Sequence, residues 1–454
     1  MNKGTLGSYA GPSIMIGICL IWPLRLLNSL QTDGQNPSRP LSISNSLRTD
    51  VAKWDLWNGE IKLRGVNIWQ RLVVKSKDGD NMGSGYIGPP YDSADFQKLK
   101  DWGANYVNIS HPGIYFAKGN KGVYELDLKA LENLRSLVTA CGQKGLFVVI
   151  SYRTGPERTE KKVFEDNKVS ELWKKPEAQK AWELMWRKTA EEFRNSPYVV
   201  GYDLMVEPEL KIRDPDKPDD KEKGRQWSKF ANRLIKSIRD EPQPDGNGGA
   251  GDKDTPILVG GINMSDVDGL YVLDTDLIDP ENNQKIVYAV HQYEPSRYTQ
   301  QTEGKWSYDC ISKRDLKGIP KPDQYKQYAI YETDPKLESQ TLSRIYQRIK
   351  DWRASQQAQG ALRALTINEF GVIRWAGSPG NPDGRDFLAK EFVEIKNLKA
   401  NYALWKWDSH FCTGDDDYNF RHGQLFSHHD DIDDNPLAVL IRSEWREERN
   451  PLRP

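Results

Sequence analysis

Residues 127–152 read DLKALENLRSLVTACGQKGLFVVISY. Leu128, Leu131, Leu134 and then Leu137 or Val138 recur at the spacing of one helix face. Gly145 ends that pattern, as a glycine past a helix C-terminus does. The near-continuous apolar run 146–152 then follows, as expected of a parallel strand buried on both faces. The same unit recurs along the chain. Apolar runs predict strands at 61–68, 104–109, 146–152, 199–205, 256–260, 286–292, 363–369 and 401–407, with helical patterns between them. Two further long helices are expected: one at 176–196, with Pro176 near its N-terminus, and one at 336–359. Eight β/α units over about 390 residues predict an α/β fold, a (β/α)8 TIM barrel with long loops at its C-terminal face. A doubly wound open sheet is the fallback, but no GxGxxG follows the first strand.

Composition narrows the function. Among 454 residues, 64 Lys and Arg face 65 Asp and Glu, a formal charge of −1, so no basic surface marks a nucleic-acid partner. A mean hydropathy of −0.74 excludes a multi-span membrane protein, and 15 Trp, 20 Tyr and 12 Phe supply a large core. The apolar run 14–22 is too short to span a bilayer and fits the central region of an export signal, with an uncleaved anchor or a misassigned start as the other readings. The expected organisation is 1–30 signal peptide or anchor, 31–50 linker, 51–446 barrel and 447–454 tail. The expected location is secreted, periplasmic or membrane-anchored, and otherwise cytoplasmic. Outside the leader, which carries Cys19, only Cys141, Cys310 and Cys412 remain, so there is no disulfide framework. Cys141 reads as a buried apolar residue.

In a barrel of this kind chemistry gathers where strands end. Glu207 lies just past the fourth strand (GYDLMVEP, 201–208) and Glu369 at the tip of the seventh (INEFG, 367–371). Two carboxyl groups facing each other across a barrel mouth are what glycoside cleavage needs: one protonates the leaving oxygen, the other attacks or stabilises the oxocarbenium-like centre. A single Glu in so charged a protein would carry no such reading; two at matched strand ends do.

The ordered set RGVN (64–67), GYDLMVEP (201–208), VHQYEP (290–295), INEFG (367–371) and ALWKWD (403–408) resembles glycoside hydrolase family five, cellulase-like retaining glycosidases of clan A. The resemblance runs from about residue 60 to 410 in order; each motif alone is weak, the five together are specific. It implies Glu207 as acid/base and Glu369 as nucleophile of a double-displacement mechanism. His291 and Tyr293 match the family's His-x-Tyr, with Tyr293 donating to the nucleophile and His291 tuning the acid/base. Trp405 matches the Trp under the cleaved sugar, where indole stacks on apolar sugar faces; Trp407 is a further substrate-side candidate, with core packing as its other reading.

Three positions depart from the family. Val206 replaces the Asn that meets the sugar 2-hydroxyl. Asn108 stands where an Arg supports the nucleophile, and Arg153 where the third strand ends in His. Both positions are expected to line the substrate site, and Arg153 to supply the cation that position 108 lacks, reaching toward Glu369. Glu207 is expected to carry a raised pKa, because like charges disfavour a second ionisation.

The resulting expectation is a retaining O-glycosyl hydrolase acting on β-linked polysaccharide or oligosaccharide, with a carbohydrate substrate, no cofactor, no metal, no nucleic acid and no protein partner. The alternative is a catalytically weak carbohydrate-binding protein on the same barrel, which the three departures favour. A metal-dependent hydrolase would need more inward His and Asp ligands than His291. Tyr86, Tyr91, Trp306 and Tyr308 in long rim loops read equally as sugar platforms or as loop packing. The acidic stretch 427–435 reads as a solvated loop, and 245–256 as a flexible connection.

Overall fold

The computed structural model describes residues 52–59, 62–74, 85–119, 122–245, 248–281, 283–294, 299, 335–358, 363–372, 383–407 and 436–447. The leader, the expected linker, Trp306, Tyr308, the acidic run 427–435, Cys19, Cys310 and Cys412 lie outside these residues, as does nearly all of the tail.

Eight parallel strands close on themselves: β1 (Arg64–Trp69), β2 (Tyr106–His111), β3 (Phe147–Tyr152), β4 (Val199–Asp203), β5 (Ile257–Gly260), β6 (Ile286–Gln292), β7 (Ala364–Phe370) and β8 (Asn401–Trp407). Each pairs with its sequence neighbours and β1 pairs with β8, so no edge is left unpaired. The expected (β/α)8 barrel is what the chain forms, with every expected strand present. Six long helices lie between or after the strands: α1 (Ser93–Trp102), α2 (Leu128–Gln143), α3 (Pro176–Phe193), α4 (Pro218–Arg239), α6 (Pro335–Ala358) and α7 (Asp383–Leu398). α8 (Pro436–Glu447) follows β8. The fifth unit differs, with two short turns of helix, α5 (Val267–Tyr271) and Thr275–Ile278, in place of one long helix.

Local chemistry explains the boundaries. α1 begins with a capping box: Asp92 accepts from the amides of Ala94 and Asp95, while Asp95 accepts from the amide of Asp92. It stops at Gly103, whose φ of 107° suits a residue without Cβ. Asp127 caps α2 through the amides of Lys129 and Ala130, and Pro176 sits in the first turn of α3 as expected. Cys141 is free and fully buried in α2. One correction concerns 245–256. Its described part is tied down: Tyr202 Oη donates to Asp252 (3.0 Å), Arg194 donates to Ala250 O, and Arg239 donates to Asp252 O.

The barrel interior is filled in storeys. At the bottom an apolar plug gathers Leu56, Trp57, Leu63, Tyr106, Phe147, Val149, Val200, Leu258 and Val287. Trp57 closes that mouth: its indole N–H donates to Val200 O (2.7 Å), and its ring meets Tyr106 edge-on at 6.4 Å. Close approach of the first two strands there requires a glycine. A Cβ on Gly65 would meet Tyr106 O at 1.8 Å, so an alanine would force β1 and β2 apart. Gly65→Ala should therefore lower unfolding free energy by about 3 kcal/mol or more, at the upper end of overpacking costs. Urea denaturation reads this directly, and a loss below about 1 kcal/mol would show that the barrel seam yields more easily than argued.

Candidate active site

Above the plug lies a buried polar storey. Asn67 Nδ2 donates to Asn368 O (2.8 Å), and Asn108 Nδ2 donates to Asn67 Oδ1 (2.7 Å). Ser151 Oγ shares its proton between Asn108 Oδ1 (2.5 Å) and Asp203 Oδ2 (3.1 Å), which also accepts from Asn368 Nδ2 (3.0 Å). Asn108, expected to be substrate-binding, belongs to this floor: it is 2% exposed and both ends of its amide are spent on Asn67 and Ser151. Asn is short, so it stops one layer below the mouth where an Arg would reach it.

The reactive groups sit on the floor. β7 carries Glu369, 3% exposed, at its end. Just past β4 the chain turns through Glu207, whose φ of 56° lies in the left-handed region that non-glycine residues rarely adopt. That turn lifts its carboxyl to the rim, where the side chain is 12% exposed. β6 delivers His291 between them. Its Nδ1 donates to Glu207 Oε1 (3.0 Å) and lies 2.5 Å from Glu369 Oε2. Oxygens of the two carboxyl groups thus come within 4.8 Å of each other. This lies on the close side, below the about 5–5.5 Å of retaining enzymes and far from the roughly 6.5–9.5 Å that an inverting water requires.

Arg153, at the end of β3, points into this cleft as expected. Its Nη1 is 4.0 Å from Glu369 Oε1, and its guanidinium lies over the Trp405 ring at 5.1 Å and the Phe164 ring at 3.6 Å. It is not devoted to Glu369: Nε donates to Glu160 at 3.0 Å. Glu157 takes no part, being held by Lys175 and Tyr124. Trp405 forms one wall with Trp69, their rings 6.2 Å apart and tilted at 48°; the peptide bond after Trp405 is cis.

Trp407 is a correction. It is fully buried and meets Trp102 of α1 edge-on at 5.1 Å, in the layer between barrel and helices. Pairing of β8 with β1 shifts register between Val66 and Ile68, so residues 405 and 407 do not share a face as an unbroken strand would place them. Of the rim tyrosines, Tyr91 packs on Phe96 and donates to Trp407 O, and Tyr86 donates to the helix-capping Asp127; both tie their loop to the barrel scaffold. Tyr293 lies two residues beyond His291, half-buried at the rim. Val206 is 3% exposed and presents no polar group to the cleft.

Electrostatics bind the cluster together. Burial opposes charge on His291, but Glu369 and Glu207 on either side outweigh it and push the imidazole up to about 10, so it is a cation at neutral pH. Glu369 is raised by burial and by the charge of Glu207, against His291 and Arg153. Glu207 departs from expectation. Although burial raises it, the His291 hydrogen bond and the charges of His291, Arg153 and Arg158 lower it below the ordinary value. The expectation of a raised Glu207 weighed its anionic neighbour alone and missed three cations. Glu207, His291 and Glu369 are also the described residues whose ligand atoms could converge on a metal ion. A cation there would displace the shared imidazole proton and face Arg153, so the donor set suits a proton better.

Arg158 is the functional-region residue that sequence reasoning passed over. It is wholly buried beneath the Glu207 turn, paired with Glu209 at 2.9 Å. It stands in SYRTGPER (151–158), just past β3, where a charged residue beside Pro and Glu reads as a solvated loop.

The family model described as Cellulase (glycosyl hydrolase family 5) matches residues 60–411, and the chain belongs to that family. Endoglucanase C of Acetivibrio thermocellus is 24% identical over 234 residues, 51% of this chain and 58% of that protein, so the match spans little more than half the relative's length. Endoglucanase Cel5A of the hyperthermophilic Thermotoga maritima superposes with a TM-score of 0.56 at 15% identity, covering 86% of this chain and all of that one. The cellulose synthase subunit Z of Clostridioides difficile superposes with a TM-score of 0.52 at 16% identity, covering 84% of this chain and 99% of that one. At these identities the superpositions establish the fold.

Asp203 offers a test of the polar floor that needs no substrate. Burial raises its carboxyl to about 6, with Glu369 adding and His291, Ser151 and Asn368 opposing. A folded-state value above the unfolded one means the native protein binds the proton more tightly. Asp203 therefore favours folding at low pH, and that contribution is lost as pH climbs from about 4 through about 6. Asp203→Asn removes the titration, so its melting temperature relative to wild type should move in the variant's favour across that window. A difference that is flat with pH, or that moves the other way, contradicts the assigned shift.

Proposed function

We propose that the chain is a retaining glycosidase that cleaves β-linked glucan or manno-oligosaccharide by double displacement. The observation that carries this is the pair Glu207 and Glu369, brought within 4.8 Å across the mouth by β4 and β7. Relatives on the same fold point to the sugar class: Thermotoga maritima Cel5A has been crystallised with cellobiose and with mannotriose. Export through the apolar run 14–22 is part of the same proposal, since polymeric substrates lie outside the cell.

In this reading Glu369 attacks the anomeric carbon while Glu207 gives a proton to the departing oxygen; Glu207 then takes a proton from the water that releases the sugar. The resting charges are set the other way, with Glu207 ionised against a cationic His291. The imidazole N–H already bonded to Glu207 makes up the difference. Its transfer over 3.0 Å supplies a protonated acid and a neutral imidazole without a proton from solvent; with His291 raised and Glu207 lowered at rest the step is uphill, and it is driven by the loss of the Glu369 charge as that group attacks. Arg153 opposes the rise that burial and Glu207 impose on Glu369; its own guanidinium, although burial lowers it, is raised by Glu160, Glu207 and Glu369 together. Trp405 offers a flat apolar face for the sugar being cleaved. A catalytically weak carbohydrate-binding barrel is the second reading, favoured by Val206, which supplies no hydrogen bond to a 2-hydroxyl.

Aryl β-cellobiosides and β-mannobiosides separate the two. Glu207→Gln and Glu369→Gln should each lower turnover at least about a hundredfold, and NMR of the first-formed product should show the β anomer retained. Wild type that binds the sugars without turning them over establishes the binding reading, and net inversion refutes double displacement. Arg153→Ala should cost about tenfold or more in kcat/KM, as loss of a preorganised charge does. Arg153→Lys should recover only part, because an ammonium cannot both stack on Trp405 and bridge two carboxylates; full recovery would reduce Arg153 to a point charge.

A further inference from the structure

The turn that lifts Glu207 to the rim holds a left-handed conformation at a residue with a long side chain, and such a conformation persists only where surrounding bonds over-determine it. Those bonds come from one buried guanidinium. Arg158 Nη2 donates to Val206 O (2.8 Å) and to Glu207 O (2.6 Å), Nη1 donates to Arg153 O, and Nε donates to Glu209 Oε2 (2.9 Å). Glu209 is anchored in turn: its other oxygen accepts from the amide of Ser170 (3.0 Å) and the indole N–H of Trp173 (2.8 Å). Both side chains are shut off from water, 0% and 1% exposed.

The geometry of this fork is specific. β4 ends at Asp203 and the turn at Glu207 leaves the carbonyls of residues 206 and 207 without a strand partner; Arg158 takes both. The same planar group holds the carbonyl of Arg153, so the ends of β3 and β4, which carry the cleft cation and the rim carboxyl, are fixed to one rigid unit. Only a guanidinium presents enough donors in one plane to do this.

We propose that Arg158, anchored by Glu209, is a positioning residue for the acid/base carboxyl: it fixes the left-handed turn at Glu207 so that the carboxyl sits where the leaving oxygen will be. It touches no substrate. This rests on the glycosidase reading and on Glu207 as its acid, and it predicts a defect in proton donation rather than in sugar binding or nucleophilic attack.

Leaving-group dependence reads that difference. A 2,4-dinitrophenyl glycoside departs without a proton, whereas a phenyl glycoside needs one. In Arg158→Lys, kcat/KM for phenyl β-cellobioside should fall about tenfold or more, a fraction of what general acid catalysis supplies. For the 2,4-dinitrophenyl substrate kcat/KM, which reports the glycosylation step alone, should change less than about threefold. A merely structural role would lower both substrates alike; that outcome, or no loss on either, overturns the proposal. Melting temperature tracks folding, and if Arg158→Lys does not fold, Glu209→Gln is measured in the same way. It keeps the fork and loosens its anchor, and it must show the same leaving-group pattern. Glu207→Ala distinguishes the two levels of failure. If it lacks the pattern, the acid/base reading falls and takes this proposal with it; if it shows the pattern while the Arg158 and Glu209 variants do not, only the positioning role falls.

Discussion

Two carboxyl groups held within 4.8 Å of each other and out of water repel by about 3–4 kcal/mol at an effective dielectric near 20. The top of this barrel is organised around that repulsion. His291 is placed so that its Nδ1 lies within 3.0 Å of both carboxylates, and Arg153 supplies a second positive charge from the end of β3. Neither cation alone would do. The imidazole can give up its charge with its proton, so a site compensated by histidine alone would lose its balance at the moment of proton transfer; the guanidinium cannot be deprotonated and holds Glu369 through that step. Arg153 is itself kept from collapsing onto Glu369 by Glu160 on its other side and by the aromatic rings of Trp405 and Phe164.

The polar floor follows from the same constraint. Carboxylates set directly on an apolar core would be driven toward their neutral forms. Asn67, Asn108, Ser151, Asp203 and Asn368 interpose a layer whose dipoles bond to one another, and the apolar plug around Trp57 begins only beneath it. Asp203 bears the strain of that arrangement: it is an acid in a place with no formal cation bonded to it, and its carboxyl rises accordingly.

The barrel was legible because its evidence is periodic. Eight buried parallel strands must read as eight apolar runs, and a helix face such as Leu128 to Val138 must repeat every three to four residues. The fifth unit broke the pattern because Asp266 and Asp274 each cap a new short helix through the amides of Gly269 and Leu277. Glu207 and Glu369 were legible because strand ends point to the mouth; His291, Trp405 and Arg153 were legible only through the resemblance of their motifs to the family and the departures from it. Asn108 and Trp407 were misplaced for opposite reasons. The first is correctly on the inner face but too short to reach the top. The second needs an unbroken two-residue alternation that a register shift removes. The direction of the Glu207 shift was unreadable from sequence because it is a sum over three cations that lie 54, 49 and 84 residues away in the chain.

Arg153 and Arg158 show why a departure from a family pattern is poorly judged one position at a time. Read singly, Asn108, Arg153 and Val206 are three losses. In the fold the first contributes a floor dipole, the second brings a cation to Glu369, and the third gives its main-chain carbonyl to Arg158 while its side chain is buried. The positive charge beside Glu369 comes from Arg153 after the third strand, while the second strand offers Asn108. A buried fork bonded to the carbonyls of both Arg153 and Glu207 then meets two demands at once, since it holds the relocated cation and the rim acid in one frame. A drifted site would show those departures without such a frame; here the charge, the turn and the buried pair beneath them are mutually supporting.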